Sequence, residues 1–102
     1  MDRATSAERE NLLLKHVAEG DREAFRELYD LTSRRIYFYL YRLLQDATRA
    51  EDVQMEVYVQ IWKGAGRFQG KSKVTTWMFG IARNLALKEM RKQRSHANID
   101  DY

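Results

Sequence analysis

A short segment in the last third of the chain, residues 67–73, combines side chains that could bind a polyanion and read it. Its cations are Arg67, Lys71 and Lys73, and between them lie Phe68, Gln69, Gly70 and Ser72. Cations bind phosphate, an aromatic ring stacks on or walls a base, and amide and hydroxyl groups read base edges. Glycine also lets a ligand approach the backbone closely. The segment therefore predicts a site for unpaired nucleic acid.

A second set of side chains follows this segment at helical spacing. Its members, three or four residues apart, are Thr76, Gly80, Arg83, Asn84, Leu87, Lys88 and Arg91. Such spacing places them on one side of a helix. Glycine inside a helix costs about 1 kcal/mol relative to alanine, so Gly80 predicts a close neighbour at that point. A packed helix and a nucleic-acid backbone would both satisfy this prediction.

Lysine and arginine are concentrated in the same part of the chain. Residues 1–62 hold 9 Lys/Arg and 12 Asp/Glu, whereas residues 63–96 hold 9 Lys/Arg and one acid, Glu89. A localised basic region is typical of proteins that bind polyanions. The alternative is a basic helix end that interacts favourably with the helix dipole. That alternative accounts for Arg91, Lys92 and Arg94 but not for the cations of residues 67–73.

The residues that usually build catalytic centres are scarce. The chain has two histidines, His16 and His96, and no cysteine. His16 has no carboxylate at a spacing that suggests a triad, and His96 lies near the end of the sequence. Without cysteine there is no thiolate zinc site, no disulfide and no thiol nucleophile. We therefore expect a protein that is not an enzyme and needs no cofactor.

Two patterns resemble ligand sites and are rejected. Glu51, Asp52 and Glu56 cluster in the third predicted helix, but metal-binding bundles use Glu-x-x-His pairs on facing helices. Acids early in a helix also favour its dipole without any metal. Residues 66–72 (GRFQGKS) are one residue short of the phosphate-loop pattern and follow a predicted helix instead of a strand. We expect neither a metal site nor a nucleotide-binding loop.

The first two helices are predicted from caps and apolar spacing. Thr5 and Glu8 form a capping box before the first helix, which Gly20 ends. Asp21 caps the second helix. The apolar residues that this second helix should bury on one face are Phe25, Leu28, Tyr29, Ile36, Leu40, Leu43 and Leu44.

The last two helices complete the predicted fold. Thr48 and Glu51 form a capping box before the third helix, which ends at residues 64–66 (GAG). The fourth helix starts near Val74 and runs to about Arg94, and residues 95–102 are expected to fray. Its apolar face is Val74, Trp77, Met78, Ile81, Ala82 and Leu85. Four helices with short connections predict an all-α fold, a compact bundle.

The second helix is unusually aromatic in its second half. Tyr37, Phe38, Tyr39 and Tyr41 lie close together there. Packing in the core or against a neighbouring helix is the preferred interpretation, and a stacking platform for bases is the alternative.

Three segments, in this order and spacing, resemble region 2 of extracytoplasmic-function sigma factors. They are residues 50–62 (AEDVQMEVYVQIW), residues 67–70 (RFQG) and residues 76–87 (TWMFGIARNLAL). Residues 20–29 (GDREAFRELY) look like the start of the same domain. The resemblance covers about residues 10–95, nearly the whole chain.

The resemblance implies a bacterial transcription initiation factor with two macromolecular partners. The third helix would bind the clamp helices of core RNA polymerase through Glu51, Asp52, Gln54, Glu56, Val57 and Gln60. The melted non-template strand of the minus-ten promoter element would be captured by Arg67, Phe68, Gln69, Gly70, Lys71, Ser72, Lys73, Thr76, Trp77, Gly80, Arg83, Asn84, Lys88 and Arg91. One base would be flipped into a pocket bordered by Phe68. An anti-sigma factor is also implied, for which the aromatic second helix is a candidate.

The sequence departs from the family pattern at several points. The family usually reads Asp-Leu-Val-Gln-Glu where this chain has residues 52–56 (DVQME), so the glutamine is displaced by one position, about 100° around the helix. A larger residue often occupies the position of Gly80. Members of the family also carry a helix-turn-helix domain that reads the minus-thirty-five element, and we expect this chain to lack it. We expect residues 1–95 to be one domain and residues 96–102 to begin an acidic linker to that missing part, although a natural single-domain relative is the alternative.

Two other functional classes stay open at this stage. The chain could be a helical module that binds only protein, or a bundle that binds nucleic acid without sequence preference. The cations around Phe68 favour nucleic acid over a protein-only module. No stretch is apolar for the roughly 18 residues that a membrane helix needs, and no signal peptide is visible, so we expect a cytoplasmic protein with no membrane partner.

Overall fold

The computed structural model describes the backbone of residues 5–100 and the side chains of residues 5–94. Its helices are α1 (Ser6–Ala18), α2 (Arg22–Leu44), α3 (Ala47–Gly64) and α4 (Val74–Asp100). A single 3₁₀ turn, Ala65–Arg67, follows α3. Residues 67–73, which join this turn to α4, are called the α3–α4 loop below. The prediction of an all-α bundle of about four helices is confirmed.

Side-chain caps begin the first two helices at the predicted positions. The Thr5 hydroxyl accepts a hydrogen bond from the Glu8 amide at 3.1 Å. The Asp21 carboxylate accepts bonds from the amides of Glu23 and Ala24 at 3.0 and 3.1 Å. Each bond satisfies an amide that has no partner inside its own helix. These contacts explain why short polar residues separate the apolar segments.

The predicted cap of α3 is wrong. Asp46, not Thr48, is the cap residue, and its carboxylate accepts a hydrogen bond from the Arg49 amide at 3.0 Å. The backbone of Asp46 is extended, with φ −153° and ψ 117°, as a cap requires. The helix therefore starts earlier than predicted and includes Thr48 in its first turn.

The ends of the helices also test the predictions. Gly20 has φ 88° and follows Glu19, the residue that caps the end of α1, so its position is one that glycine adopts without strain. α4 begins at Val74 as predicted but continues to Asp100, so the expected end near Arg94 is wrong. The side chains of residues 95–102 and the backbone of Asp101 and Tyr102, where the acidic linker was predicted, lie outside the described residues.

α2 is the central helix and packs against each of the other three. The side chains that are almost wholly inaccessible and fill the space between the helices include Leu14, Leu28, Ile36, Leu40, Ile61 and Met78. α1 also contacts the 3₁₀ turn, which brings it beside the α3–α4 loop. Among the described residues, no helix combines the length and apolarity needed to cross a bilayer.

Several aromatic residues of α2 are more exposed than predicted. Tyr29 is 41% exposed, because only the edge of its ring packs on Tyr58, with centroids 4.6 Å apart. Phe38 and Tyr41 are also exposed, whereas Tyr39 packs on Phe79 of α4. Residues 37–41 point in successive directions about 100° apart, so they cannot all face the core.

Candidate nucleic-acid interface

The α3–α4 loop is held close to the core by a few contacts, and most of its side chains are left in solvent. Gly70 has φ 72°, a left-handed conformation that favours glycine. The Ser72 hydroxyl donates to the Lys73 carbonyl at 3.1 Å. Val74, directly after the loop, is 2% exposed and anchors it. The predicted loop residues that remain exposed are Arg67, Gln69, Gly70, Lys71, Ser72 and Lys73.

Phe68 is the half-buried residue of the loop. Its ring lies against Trp77 of α4, with centroids 5.4 Å apart and planes tilted by 53°. Trp77 in turn packs over Gly64, where an added Cβ would lie 3.3 Å from the indole. Trp77 thus supports the loop from below and has only part of its surface available to a ligand. The aromatic pair fixes the direction of Phe68 while leaving part of its ring exposed.

The exposed side of α4 forms a polar stripe, as the spacing predicted. The predicted residues exposed on it are Thr76, Gly80, Arg83, Asn84 and Arg91, and Leu87 is partly buried. Met78, Ala82 and Ala86 on the other side are fully buried. We call this stripe together with the α3–α4 loop the basic surface.

Gly80 lies in the middle of the basic surface. An added Cβ there would have no described atom within 4 Å beyond its own helix backbone and adjoining residues. A neighbouring helix of the described chain therefore does not explain this glycine.

Lys88 points to a different flank of α4. It lines a groove of about 210 Å³ with Asp52 and Glu56 of α3 and Lys92 of α4. Acidic and basic side chains face each other there, so the charge of Lys88 is partly balanced locally. Lys88 is nevertheless exposed, so its predicted role in binding nucleic acid together with Arg83 and Arg91 stays a prediction.

The cations of residues 1–62 and the cations of residues 63–94 differ in whether they form ion pairs. The ion pairs between described residues join Arg9 to Glu27, Arg35 to Glu10, and Arg49 to Asp46 and Glu89, besides a contact between His16 and Glu19. None of them involves a cation of residues 63–94. Glu89, the one acid among residues 63–96, is held at 2.7 Å by Arg49 on the side of α4 that faces α3. The cations of the basic surface therefore remain available for phosphate.

The residues predicted to bind polymerase do not all lie on the surface of α3. Glu51, Asp52, Glu56 and Gln60 are exposed. Val57 is fully buried, so its predicted contact with a partner is wrong. Gln54 is 9% exposed and its amide donates to the Ser33 carbonyl at 2.7 Å, so it joins α3 to α2 instead. The displaced glutamine of the sequence thus points inward.

Exposed apolar residues beside these acids were missed in the sequence. Met55 is 70% exposed, and Val59 and Trp62 are also exposed. With Phe25 and Tyr29 of α2 they line a hollow of about 610 Å³, which we call the apolar groove. Their spacing at positions 55, 59 and 62 marks one helix side, opposite the buried residues, and would have been a usable signal.

A buried polar pair lies beneath the apolar groove. The Tyr58 and Thr32 hydroxyls are 2.6 Å apart, and Thr32 also donates to the Leu28 carbonyl at 2.8 Å. Because Thr32 has one proton, Tyr58 is the donor in their shared bond. Burial raises the pKa of Tyr58 to about 12, so the hydroxyl stays protonated. Within residues 5–94, no three His, Cys, Asp or Glu side chains are grouped so that they could hold a metal ion.

The overall shape matches a solved domain. An engineered region 2 of sigmaE, determined by NMR in complex with GTAAAA, superposes with a TM-score of 0.80 over 94% of this chain and 97% of that one. The sequence identity is 22%, so this likeness establishes the fold.

Sequence comparisons give the family. The ECF RNA polymerase sigma factor SigW of Bacillus subtilis (strain 168) is 31% identical over 87 residues, which are 85% of this chain and 46% of SigW. SigK of Mycobacterium sp. (strain KMS), also named an ECF RNA polymerase sigma factor, is 33% identical over 86 residues, 83% of this chain and 45% of SigK. This chain spans less than half the length of these relatives. Residues 28–96 match the family Sigma-70 region 2. Since the match takes in well over half of the chain, the protein belongs to the sigma-70 region 2 family.

Proposed function

We propose that this chain is the region 2 domain of an extracytoplasmic-function sigma factor, which binds core RNA polymerase and the unpaired non-template strand of the minus-ten promoter element. The observation that carries this proposal is the basic surface. Its cations are exposed, and no ion pair between described residues involves them. Binding a polyanion would release condensed counterions from the nucleic acid, which gives affinity and salt dependence.

The α3–α4 loop is the proposed reader of sequence within this surface. Lys71 and Lys73 would bind phosphates, while Gln69 has an amide that can both donate to and accept from a base edge. Phe68, held by Trp77, would stack on or wall one flipped base. Gly70, in its left-handed conformation, has no side chain to cover the backbone, so a strand can approach the backbone closely. Arg83, Asn84 and Arg91 would follow the strand along α4.

The exposed side of α3 is the proposed surface for core polymerase. Glu51, Asp52, Glu56 and Gln60 provide its polar part, and Met55 and Val59 provide its apolar part. A surface with both characters fits an amphipathic helix that carries basic residues beside an apolar ridge. Gln54 and Val57 would hold α3 in place from below. This assignment extends the predicted site towards the apolar groove.

An exclusively protein-binding module is the second candidate function, and the apolar groove is the observation that favours it. Met55 exposes 70% of its surface there, which is unusual for a large apolar side chain without a partner. Under the leading proposal the groove and the basic surface serve two partners of the same protein. Under the alternative the basic surface would bind no DNA. An anti-sigma factor as a further partner, a cytoplasmic location and the absence of catalysis also belong to the leading proposal.

The experiment for the DNA half uses a randomised pool of short single-stranded oligonucleotides, with sequencing of the bound fraction. We expect enrichment of one short motif by the wild-type chain. Phe68→Ala and Gln69→Ala should change the enriched motif more than they change total affinity. A bound fraction as random as the input would contradict the role of reader, and no binding at low salt would contradict the proposal itself.

The experiment for the polymerase half measures capture of core RNA polymerase on the immobilised chain. Asp52→Ala should reduce capture without loss of stability, because an exposed charge rarely contributes more than about 0.5 kcal/mol to folding. Asp30→Ala removes an exposed carboxylate from α2 and is the matched control. Equal capture by both variants would exclude Asp52 from the docking surface.

A further inference from the structure

Glu89 carries a negative charge in a part of the chain that is otherwise basic, and the proposed function gives it no role. It is the one acid among residues 63–96, and it lies on the helix whose exposed stripe would follow a DNA strand. A negative charge on that helix opposes the binding of phosphate. The contacts of Glu89 indicate a different role for this side chain.

The guanidinium of Arg49 joins Glu89 to two other side chains. Its Nη1 donates to the Glu89 carboxylate at 2.7 Å, and its Nε lies 3.6 Å from the Asp46 carboxylate. With the amide of Gln93 oriented by its hydrogen-bond partners, the amide oxygen accepts bonds from Nη1 and Nε of Arg49 at 3.0 and 2.8 Å. Glu89 and Gln93 are four residues apart and so lie on one side of α4. We call Arg49, Asp46, Glu89 and Gln93 the corner cluster.

The turn between α2 and α3 fixes one half of the corner cluster. Gln45 in this turn has a left-handed conformation with φ 56°, and its backbone amide donates to the Tyr41 carbonyl at 2.7 Å. The Asp46 carboxylate accepts a bond from the Arg49 backbone amide at 3.0 Å, so the residue that caps α3 also lies beside the guanidinium. Arg49 therefore extends from a turn whose own hydrogen bonds hold its backbone in place.

The second half of α4 has few other contacts with the bundle. Ala86 is fully buried, whereas no side chain from residue 87 to residue 94 is buried. Met90 is the apolar residue of that segment that packs, partly buried, on the core. Arg91 and Arg94 are exposed there. The position of these two arginines thus depends on the packing of Met90 and on the corner cluster.

We propose that Arg49 is a positioning residue for nucleic-acid binding. By holding Glu89 and Gln93, it keeps the second half of α4 against the bundle. Arg91 and Arg94 then meet the phosphates of a strand that follows the helix, while Arg49 and Glu89 do not touch the strand. This inference rests on the proposed function, since it needs a strand along α4. It gives the one acid of the basic region a role and adds the turn between α2 and α3 to the determinants of affinity.

The direction of the effect at Glu89 tests the inference. Glu89→Ala removes a negative charge, so electrostatics alone predicts tighter binding of a single-stranded oligonucleotide. The inference predicts weaker binding, because Arg91 and Arg94 lose their fixed position. The plot of log affinity against log salt should become shallower by up to about 1.4, the value for two phosphate contacts on a single strand. Fluorescence anisotropy over a series of salt concentrations measures both quantities.

An exchange of charges provides the rescue. Arg49→Glu should weaken binding, and adding Glu89→Arg restores the ion pair in the opposite direction and should recover the lost affinity. The matched control combines Glu89→Arg with Arg34→Glu, which reverses an exposed arginine of α2 that forms no ion pair between described residues. This control has the same net charge as the exchanged pair but places two arginines opposite each other. It should not recover wild-type affinity.

Hydrogen exchange distinguishes a local effect from a global one. In Arg49→Ala the amides of residues 90–94 should exchange faster, while those of residues 76–86 should stay as in the wild type. In the same variant, Arg91→Ala should have little further effect on the salt dependence, whereas Arg83→Ala should keep its full effect.

The outcomes separate the inference from the proposed function. If Glu89→Ala tightens binding or leaves it unchanged while Arg83→Ala and Arg91→Ala still weaken it, the inference is overturned and the proposed function stands. Exchange that rises equally along the whole of α4 in Arg49→Ala would also overturn it, because the corner cluster would then stabilise the entire fold. If Arg83→Ala and Arg91→Ala leave both affinity and salt dependence unchanged, no strand follows α4 and the proposed function fails with the inference.

Discussion

The basic surface and the apolar groove lie on the same small bundle but are built in different ways. The exposed cations of the basic surface, such as Lys71 and Arg83, make no ion pair with described residues. The groove residues share their contacts with the core, because Phe25 packs edge-on against both Tyr58 and Trp62. Substitutions on the basic surface should therefore change binding without changing stability, whereas substitutions of groove residues that pack on the core, such as Phe25, should change both.

The largest effect is expected inside α3, beneath the surface proposed for polymerase. Val57→Ala removes two buried methyl groups and should lower the free energy of unfolding on the order of 2 kcal/mol. Met55→Ala, on the exposed side of the same helix, should change it by less than about 0.5 kcal/mol. Urea denaturation measures both. A large loss for Met55→Ala would mean that the groove is part of the core and not a docking surface.

The next largest change in stability is expected at the hydrogen-bonded pair of Tyr58 and Thr32 beneath the apolar groove. Tyr58→Phe loses the hydrogen bond to Thr32 and should cost about 1 kcal/mol at neutral pH. The folded pKa of Tyr58, about 12, lies above the unfolded value of 10.0, so the folded state holds the proton more tightly. This contribution is complete below pH 10 and is lost as the pH rises towards 12.

The difference in unfolding free energy between wild type and Tyr58→Phe should therefore shrink over that alkaline range. Tyr41→Phe, at an exposed tyrosine, is the control for other groups that titrate there. A difference that stays constant to pH 12 would show that the hydroxyl is not buried as described.

On the basic surface we expect changes in binding without changes in folding. Arg83→Ala should make the plot of log affinity against log salt shallower by about 0.7 for a single strand, with stability nearly unchanged. Lys88→Ala should have a smaller effect, because Asp52 and Glu56 share its groove. Arg34→Ala on α2 is the control. Equal slopes for Arg83→Ala and Arg34→Ala would remove Arg83 from the interface.

The smallest expected change in the free energy of unfolding is at Gly80. Gly80→Ala should stabilise the helix by about 0.5 kcal/mol, since an added Cβ meets no described atom within 4 Å. The same methyl group should weaken oligonucleotide binding if a strand packs there. Gly70→Ala is the opposite control, because φ 72° makes it destabilising. Oligonucleotide binding as tight as wild type after Gly80→Ala would leave this glycine without a ligand.

Local interactions along the chain account for the helices and for the chemistry of the α3–α4 loop. Caps such as Asp21 act through hydrogen bonds to amides two or three residues away, and helical periodicity decides which residues are buried along one helix. Both are local effects, so the four helices and the exposure of residues 67–73 could be read from the residues. Thr48 shows the limit, because Asp46, two residues earlier, caps α3 instead, and the extended backbone of Asp46 decides where the helix begins.

The face that each helix turns towards each neighbour follows from how the four helices pack together. Gln54 and Met55 are adjacent in sequence, yet the packing of α3 on α2 turns the amide inward to Ser33 and the thioether outward. Lys88 follows the spacing of the α4 stripe but faces acids of α3. The cleft between α1 and the α3–α4 loop joins residues more than fifty positions apart, such as Asn11 and Gln69. Such relations depend on the angles at which helices pack, and those angles follow from the interlocking of many side chains and not from the residues of any one segment.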